Sequence, residues 1–171
     1  TIDMGGGTIF DAAHRGAGIS ITAQYTGGAG PGGYTDVLIK DNRIENLRAL
    51  RRGIYLWDNS SGPGDITAVI QGNTISAAPS STGDFGIRVL GGIGGTAITG
   101  NTVSGMAKGF QALGYNGFDP TGISLQDNTL SGNGVGASIE AGSATVATNT
   151  LHANTVAGIV VKGTGSASAT G

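Results

Sequence analysis

The chain has no cysteine, which excludes disulfides, thiolate metal sites and a cysteine nucleophile. Charge is scarce. Asp, Glu, Lys and Arg make up 12% of the 171 residues and the formal net charge is −2, so no nucleic-acid partner is expected. Aromatic residues are 5%. No run of roughly 18 apolar residues occurs, so no helix of the chain would be long and apolar enough to cross a bilayer, and no membrane insertion is expected. No signal-peptide pattern is visible and the chain starts at Thr1, which leads us to expect a processed or excised piece. Helix signals are nearly missing too. Only Asn42 to Leu50 has enough Leu, Arg and Glu to invite a helix, and that stretch is short. The length suits one domain with a real core.

What is abundant is glycine, 34 residues. There is no Gly-X-Y period, so collagen is excluded. Gly, Ser, Thr and Asn punctuate short β-branched runs, the pattern of many short strands. Five of these runs align on an asparagine: VLIKDNRI from Val37, AVIQGNTI from Ala68, TAITGNTV from Thr96, ISLQDNTL from Ile123 and ATVATNTL from Ala144. The Asn column is Asn42, Asn73, Asn101, Asn128 and Asn149. Three positions before it stand Ile39, Ile70, Ile98, Leu125 and Val146; two positions after it stand Ile44, Ile75, Val103, Leu130 and Leu151. The opening IDMGGGTI fits the same frame, with Met4 and Ile9 in the aliphatic columns and Gly7 in the Asn place. Gly and Asn most readily adopt a left-handed backbone, so this column predicts a sharp bend with one such residue per repeat.

Between these runs lie segments led by Gly18, Gly53, Gly86, Gly109, Gly136 and Gly158. Alternate residues are apolar, as in Ile54 and Leu56 or Ile87 and Val89, which is the period of a half-buried strand. Repeat starts at Ile2, Val37, Ala68, Thr96, Ile123 and Ala144 are unequally spaced. Constant strand columns with an unequal period mean loops of variable length on a constant coil. The expected fold is all-β: a parallel β-solenoid of about six coils with three short parallel sheets, aliphatic ladders inside and an Asn ladder at one bend. Its extent is 1–171, as one domain or as a segment of a longer solenoid, with a Gly/Ser/Ala/Thr tail at 163–171.

The pattern hydrophobic-x-x-Asn-x-hydrophobic, followed by Gly-hydrophobic-x-hydrophobic, resembles the right-handed parallel β-helix repeats of the pectate lyase-like superfamily, over essentially the whole chain. The resemblance implies a secreted or surface β-helix of bacterial type and, among relatives, pectate lyases, polygalacturonases, alginate epimerases and phage tailspikes. The enzyme motifs of that superfamily are not matched. Asn-Thr recurs at Asn73 and Asn101, but an apolar residue follows where polygalacturonases have Asp, and the paired Asp-Asp, Gly-His-Gly and Arg-Ile-Lys are missing. Asp119-Pro120 begins the epimerase Asp-Pro-His-Glu, but Thr121-Gly122 replaces His-Glu, so a turn is expected there. A lyase would need Ca²⁺-binding acids and an Arg base. Arg88 is in an outward column, and Asp58, Asp65 and Asp84 stand in nearby loops, where turn formation explains them equally well. GGAGPG at Gly27 and GGIGGT at Gly91 lack the Asp of a Ca²⁺ roll. His14 and His152 have no partner pattern. No catalytic residue, metal site or cofactor is therefore assigned, and Ca²⁺ stays open on spacing but unsupported.

In the same superfamily the outer face of the Gly-led sheet commonly holds saccharide. That implies Tyr55, Trp57, Arg88 and Gln111 as glycan-binding residues, with aromatic faces for sugar rings and Arg for hydroxyl or carboxylate groups. The alternative is that Tyr55 and Trp57 simply cover the sheet beneath the loop Asp58 to Asp65. The expected function is a non-catalytic extracellular or cell-surface structural β-helix, as in an adhesin, passenger or filament, with weak glycan binding. The alternatives are a polysaccharide lyase-like or epimerase-like enzyme of the same fold, or a phage tailspike or fibre module. The expected partners are polysaccharide and copies of the chain, or the remainder of a longer solenoid, stacked end to end.

Overall fold

The structure is a computed structural model that describes residues 2–3, 16–24, 34–59 and 66–170. Strand-forming runs separated by Gly, Asn and Asp turns fold into three six-stranded parallel sheets. The chain visits the sheets in rotation. The first sheet holds β1 Ile2–Asp3, β4 Arg43–Leu47, β7 Thr74–Ala77, β10 Thr102–Ser104, β13 Thr129–Ser131 and β16 Thr150–His152. The Gly-led sheet holds β2 Ala17–Gln24, β5 Arg52–Asn59, β8 Gly83–Gly91, β11 Met106–Leu113, β14 Val135–Ile139 and β17 Ala157–Val161. The third sheet holds β3 Tyr34–Lys40, β6 Ile66–Gln71, β9 Ala97–Thr99, β12 Ile123–Gln126, β15 Ser143–Ala147 and β18 Ser166–Thr170. The described residues contain no helix, and the helix-like stretch Asn42 to Leu50 is β4 and a turn. Residues 163–171, set apart by composition, supply β18, whose Val146 column ends at Ala169.

Columns of the sequence repeat become ladders in space. Ile39, Ile70, Ile98, Leu125 and Val146 stack inside the third sheet, and Ile44, Ile75, Val103 and Leu130 inside the first, all buried. At the bend between these sheets, Asn73, Asn101 and Asn128 are buried and amide-linked. Each Asn from Asn42 to Asn128 donates from Nδ2 to Oδ1 of the next, at 2.9–3.0 Å. Its backbone N–H goes to the same oxygen.

Two parts of the sequence reading are corrected. The left-handed residue is not the Asn but the one before it: Asp41, Gly72, Gly100, Asp127 and Thr148 have φ of 54–65°. That residue turns the chain so that the Asn side chain enters the interior, where its amide is needed for hydrogen bonds along the axis. Second, Ile2 stands beside Ile44 and Asp3 beside Glu45, so Ile2 takes the place expected for Ile9. Strand pairing sets register, and the Gly run from Gly5 offers no side chains to fix it. Met4, Gly7 and Ile9 lie outside the described residues. A shorter ladder was not anticipated. At the corner leading into the Gly-led sheet, Met106 N–H donates to Asn133 Oδ1, and Asn133 N–H to Asn154 Oδ1.

Candidate functional site

Each Gly-led strand turns a corner at its glycine. A Cβ on Gly86 would lie 2.1 Å from Val103 Cγ1, and one on Gly18 would lie 2.7 Å from Ile44 Cγ2, so the glycine faces inward against the preceding strand. The residue before it is thereby thrown outward, and with it the second and fourth residues after it. The outer face thus carries three columns. Arg52, Phe85 and Lys108 form one, Tyr55, Arg88, Gln111 and Ser138 the next, and Trp57, Leu90 and Leu113 the third. Pairing in register brings together Tyr55, Arg88 and Gln111 on successive coils, with Trp57 beside Tyr55.

These side chains are largely used by one another. Arg88 Nε donates to Gln111 Oε1 at 2.6 Å, and Gln111 Nε2 donates to Glu140 Oε1 at 2.7 Å. Glu140 Oε1 also accepts from Ser138 Oγ at 2.9 Å and Lys108 Nζ at 2.5 Å, while Lys162 Nζ lies 3.3 Å from Oε2. At the other end Asp84 bridges the Arg52 and Arg88 guanidinium groups. The Arg88 guanidinium lies 3.7 Å from the centre of the buried Phe85 ring, a desolvated cation–π contact. The line Arg52–Asp84–Arg88–Gln111–Glu140–Lys162 therefore runs along the solenoid axis with alternating sign. Tyr55 is 4% and Gln111 2% exposed. The two are therefore not open to a ligand, a correction that follows from the neighbours packed over them. An aromatic corner stays more open: Trp57 is half-buried, stacks on Tyr55 with centroids 6.2 Å apart, and meets Tyr115 edge-on at 5.5 Å. Tyr115 sits on a two-residue hairpin turn closed by Phe118, with Asn116 and Gly117 at positive φ.

Burial lowers the Arg88 guanidinium to about 10, opposed chiefly by the Asp84 charge, and the group stays charged at neutral pH. Burial pushes the Glu140 carboxyl up, but the hydrogen bonds from Lys108, Gln111 and Ser138 outweigh it and hold the group at about 2. Glu140 is thus a carboxylate at neutral pH and has no proton to donate as a general acid. Because its folded value lies below the ordinary 4.5, the stability it contributes is present above about 4.5 and is lost as pH falls toward 2. Glu140→Gln is expected to flatten the urea midpoint across that window, whereas the parent chain declines through it.

Asp84 is held by arginines and Asp58 is buried, while Asp65 and His14 lie outside the described residues. Among the described residues no group of three or more His, Asp and Glu side chains converges. His152 is exposed in the column of Ser104 and Ser131. Sequence reasoning missed Arg52, Phe85, Lys108 and Tyr115. The signal for the first three was their shared place before Gly53, Gly86 and Gly109.

No curated protein and no solved structure matches the chain. The family model described as the right handed beta helix region matches residues 17–171. With its three parallel sheets and rotating strand order, the chain belongs to the right-handed β-helix family, the fold that the pectate lyase-like resemblance implied.

Proposed function

We propose that the chain is a non-catalytic structural β-helix of an extracellular or cell-surface protein. One observation carries the reading: the polar side chains of the Gly-led face, where this fold would place a reaction, are spent on each other. Arg88 is pinned between Asp84, Phe85 and Gln111, and Glu140 is saturated by Lys108, Gln111, Ser138 and Lys162. A base or an electrostatic clamp must give those bonds up before it can serve a substrate. The line of alternating charge instead braces adjacent coils. The surface location rests on the resemblance.

A second role, weak glycan binding, is favoured by the aromatic corner. Trp57 and Tyr115 meet at right angles at the edge of the face, and Tyr115 is 36% exposed, so a sugar ring can lie against them. One experiment addresses both roles. The chain is incubated with pectate or alginate, with and without Ca²⁺. No unsaturated product is expected, and product formation that disappears in Arg88→Ala overturns the non-catalytic reading. In the same titration the fluorescence of Trp57, the one tryptophan, is expected to shift and to respond less in Tyr115→Ala. An unchanged spectrum at saturating polysaccharide removes the glycan role.

A further inference from the structure

The far end of the solenoid is built like every junction inside it, with one half missing. β16, β17 and β18 are each paired on one side only. They surround a hollow of about 240 Å³ lined by Val146, Asn149, Leu151, Ile159, Ala169 and Thr170. Ala169 closes a column otherwise filled by Ile39, Ile70, Ile98, Leu125 and Val146, and its small side chain leaves the space. Val161 is 46% exposed, while Leu56, Val89, Ala112 and Ile139 in the same column are buried. The backbone N–H of every earlier Asn in the ladder bonds the next Asn Oδ1. Among the described residues that series stops at Asn149, whose Nδ2 bonds the Leu125 and Ala147 carbonyls.

The opposite end offers the complement. β1, β2 and β3 are also paired on one side only. Ile19 and Ile21 are half-buried where Ile54 and Leu56, one coil inward, are buried. We propose that the two ends of the solenoid join head to tail, so that a second copy of this chain seats its β1, β2 and β3 on β16, β17 and β18. Extending the internal register across that junction sets Ile19 against Ile159, Ile21 against Val161 and Ile39 against Ala169. The bulky Ile39 then faces the smallest residue of the column. Parallel strand edges find partners at the spacing of about 4.8 Å used throughout. The contact is heterologous, so it does not close and successive copies extend into a filament. The inference rests on the structural reading above, with its two ends as the working surfaces.

The test is sedimentation velocity of the chain over a range of concentrations. The parent chain is expected to form a concentration-dependent ladder of oligomers. Ala169→Lys sets a charge into the junction at a position exposed in the single chain, so it should leave the fold intact and weaken association by at least about tenfold. Ser168→Lys, one residue away on the outer side of the same strand, should associate like the parent. A parent chain that stays monomeric at every concentration overturns the proposal. So does an Ala169→Lys chain that assembles like the parent, or a Ser168→Lys chain that is equally impaired. Arg88-dependent lyase activity would remove the non-catalytic reading without touching this result, and a monomer with no activity would do the reverse.

Discussion

Asn101→Ala is expected to lower the unfolding free energy by about 3–5 kcal/mol. Asn101 is 1% exposed and sits at the middle of the five-rung ladder. Its Oδ1 accepts from the backbone N–H and the Nδ2 of Asn73, both at 2.9 Å. Its Nδ2 donates to Asn128 Oδ1 at 2.9 Å, to the Ile70 carbonyl at 2.9 Å and to the Thr99 carbonyl at 3.1 Å. Alanine removes all five contacts and leaves polar groups of three coils stranded in an apolar interior. A buried group without its partner costs about 1–3 kcal/mol, and water has no route to two or three of these. The ladder's position predicts a gradient. Asn42 is half-buried and lies at one end of the series, so Asn42→Ala should cost only about 1 kcal/mol. Urea denaturation of the two variants is the measurement. Equal losses would mean that the ladder adds nothing beyond local turn geometry.

The coil was legible in the sequence because a solenoid repeats its neighbours. Each column is read several times over, and an aliphatic column such as Ile70, Ile98 and Leu125 cannot arise from one strand by chance. The bend was located correctly but explained by the wrong property. Asn was taken as the residue that tolerates a left-handed backbone. That duty falls one position earlier, on Asp41, Gly72, Gly100, Asp127 and Thr148, and Asn is there for its amide. The earlier column is itself rich in Gly and Asp, so the signal was present. The outer face was half legible. Alternation from each glycine placed Tyr55, Arg88 and Gln111 on one side. It hid Arg52, Phe85 and Lys108, because the glycine was read as the start of a straight strand when it is a corner. Contacts such as Arg88 to Gln111 or Lys108 to Glu140 span 23 and 32 residues. They depend on loop lengths that follow no repeat.

Gly53→Ala is expected to cost about 3 kcal/mol or more, one of the heaviest penalties for adding a single methyl group. The position is not set by backbone conformation, since Gly53 is not among the residues at positive φ. It is set by space. A Cβ there would lie 2.3 Å from the Gly86 carbonyl oxygen of the next coil and 2.6 Å from Ile75 Cγ2. The isoleucine can shift slightly, but the carbonyl belongs to a backbone held by parallel pairing between β5 and β8. Relief requires the coils to part at the corner, which breaks ladder bonds and opens the Ile54 and Ile87 columns together. Gly100 provides the contrast. It has φ +64°, and a Cβ there meets nothing within 4 Å. Gly100→Ala therefore pays only for a left-handed alanine, about 1 kcal/mol. Urea midpoints of the two variants separate the causes: a large loss at Gly53 with a small one at Gly100 assigns the Gly-led column to close approach between coils. Similar losses at both sites would return it to conformational freedom.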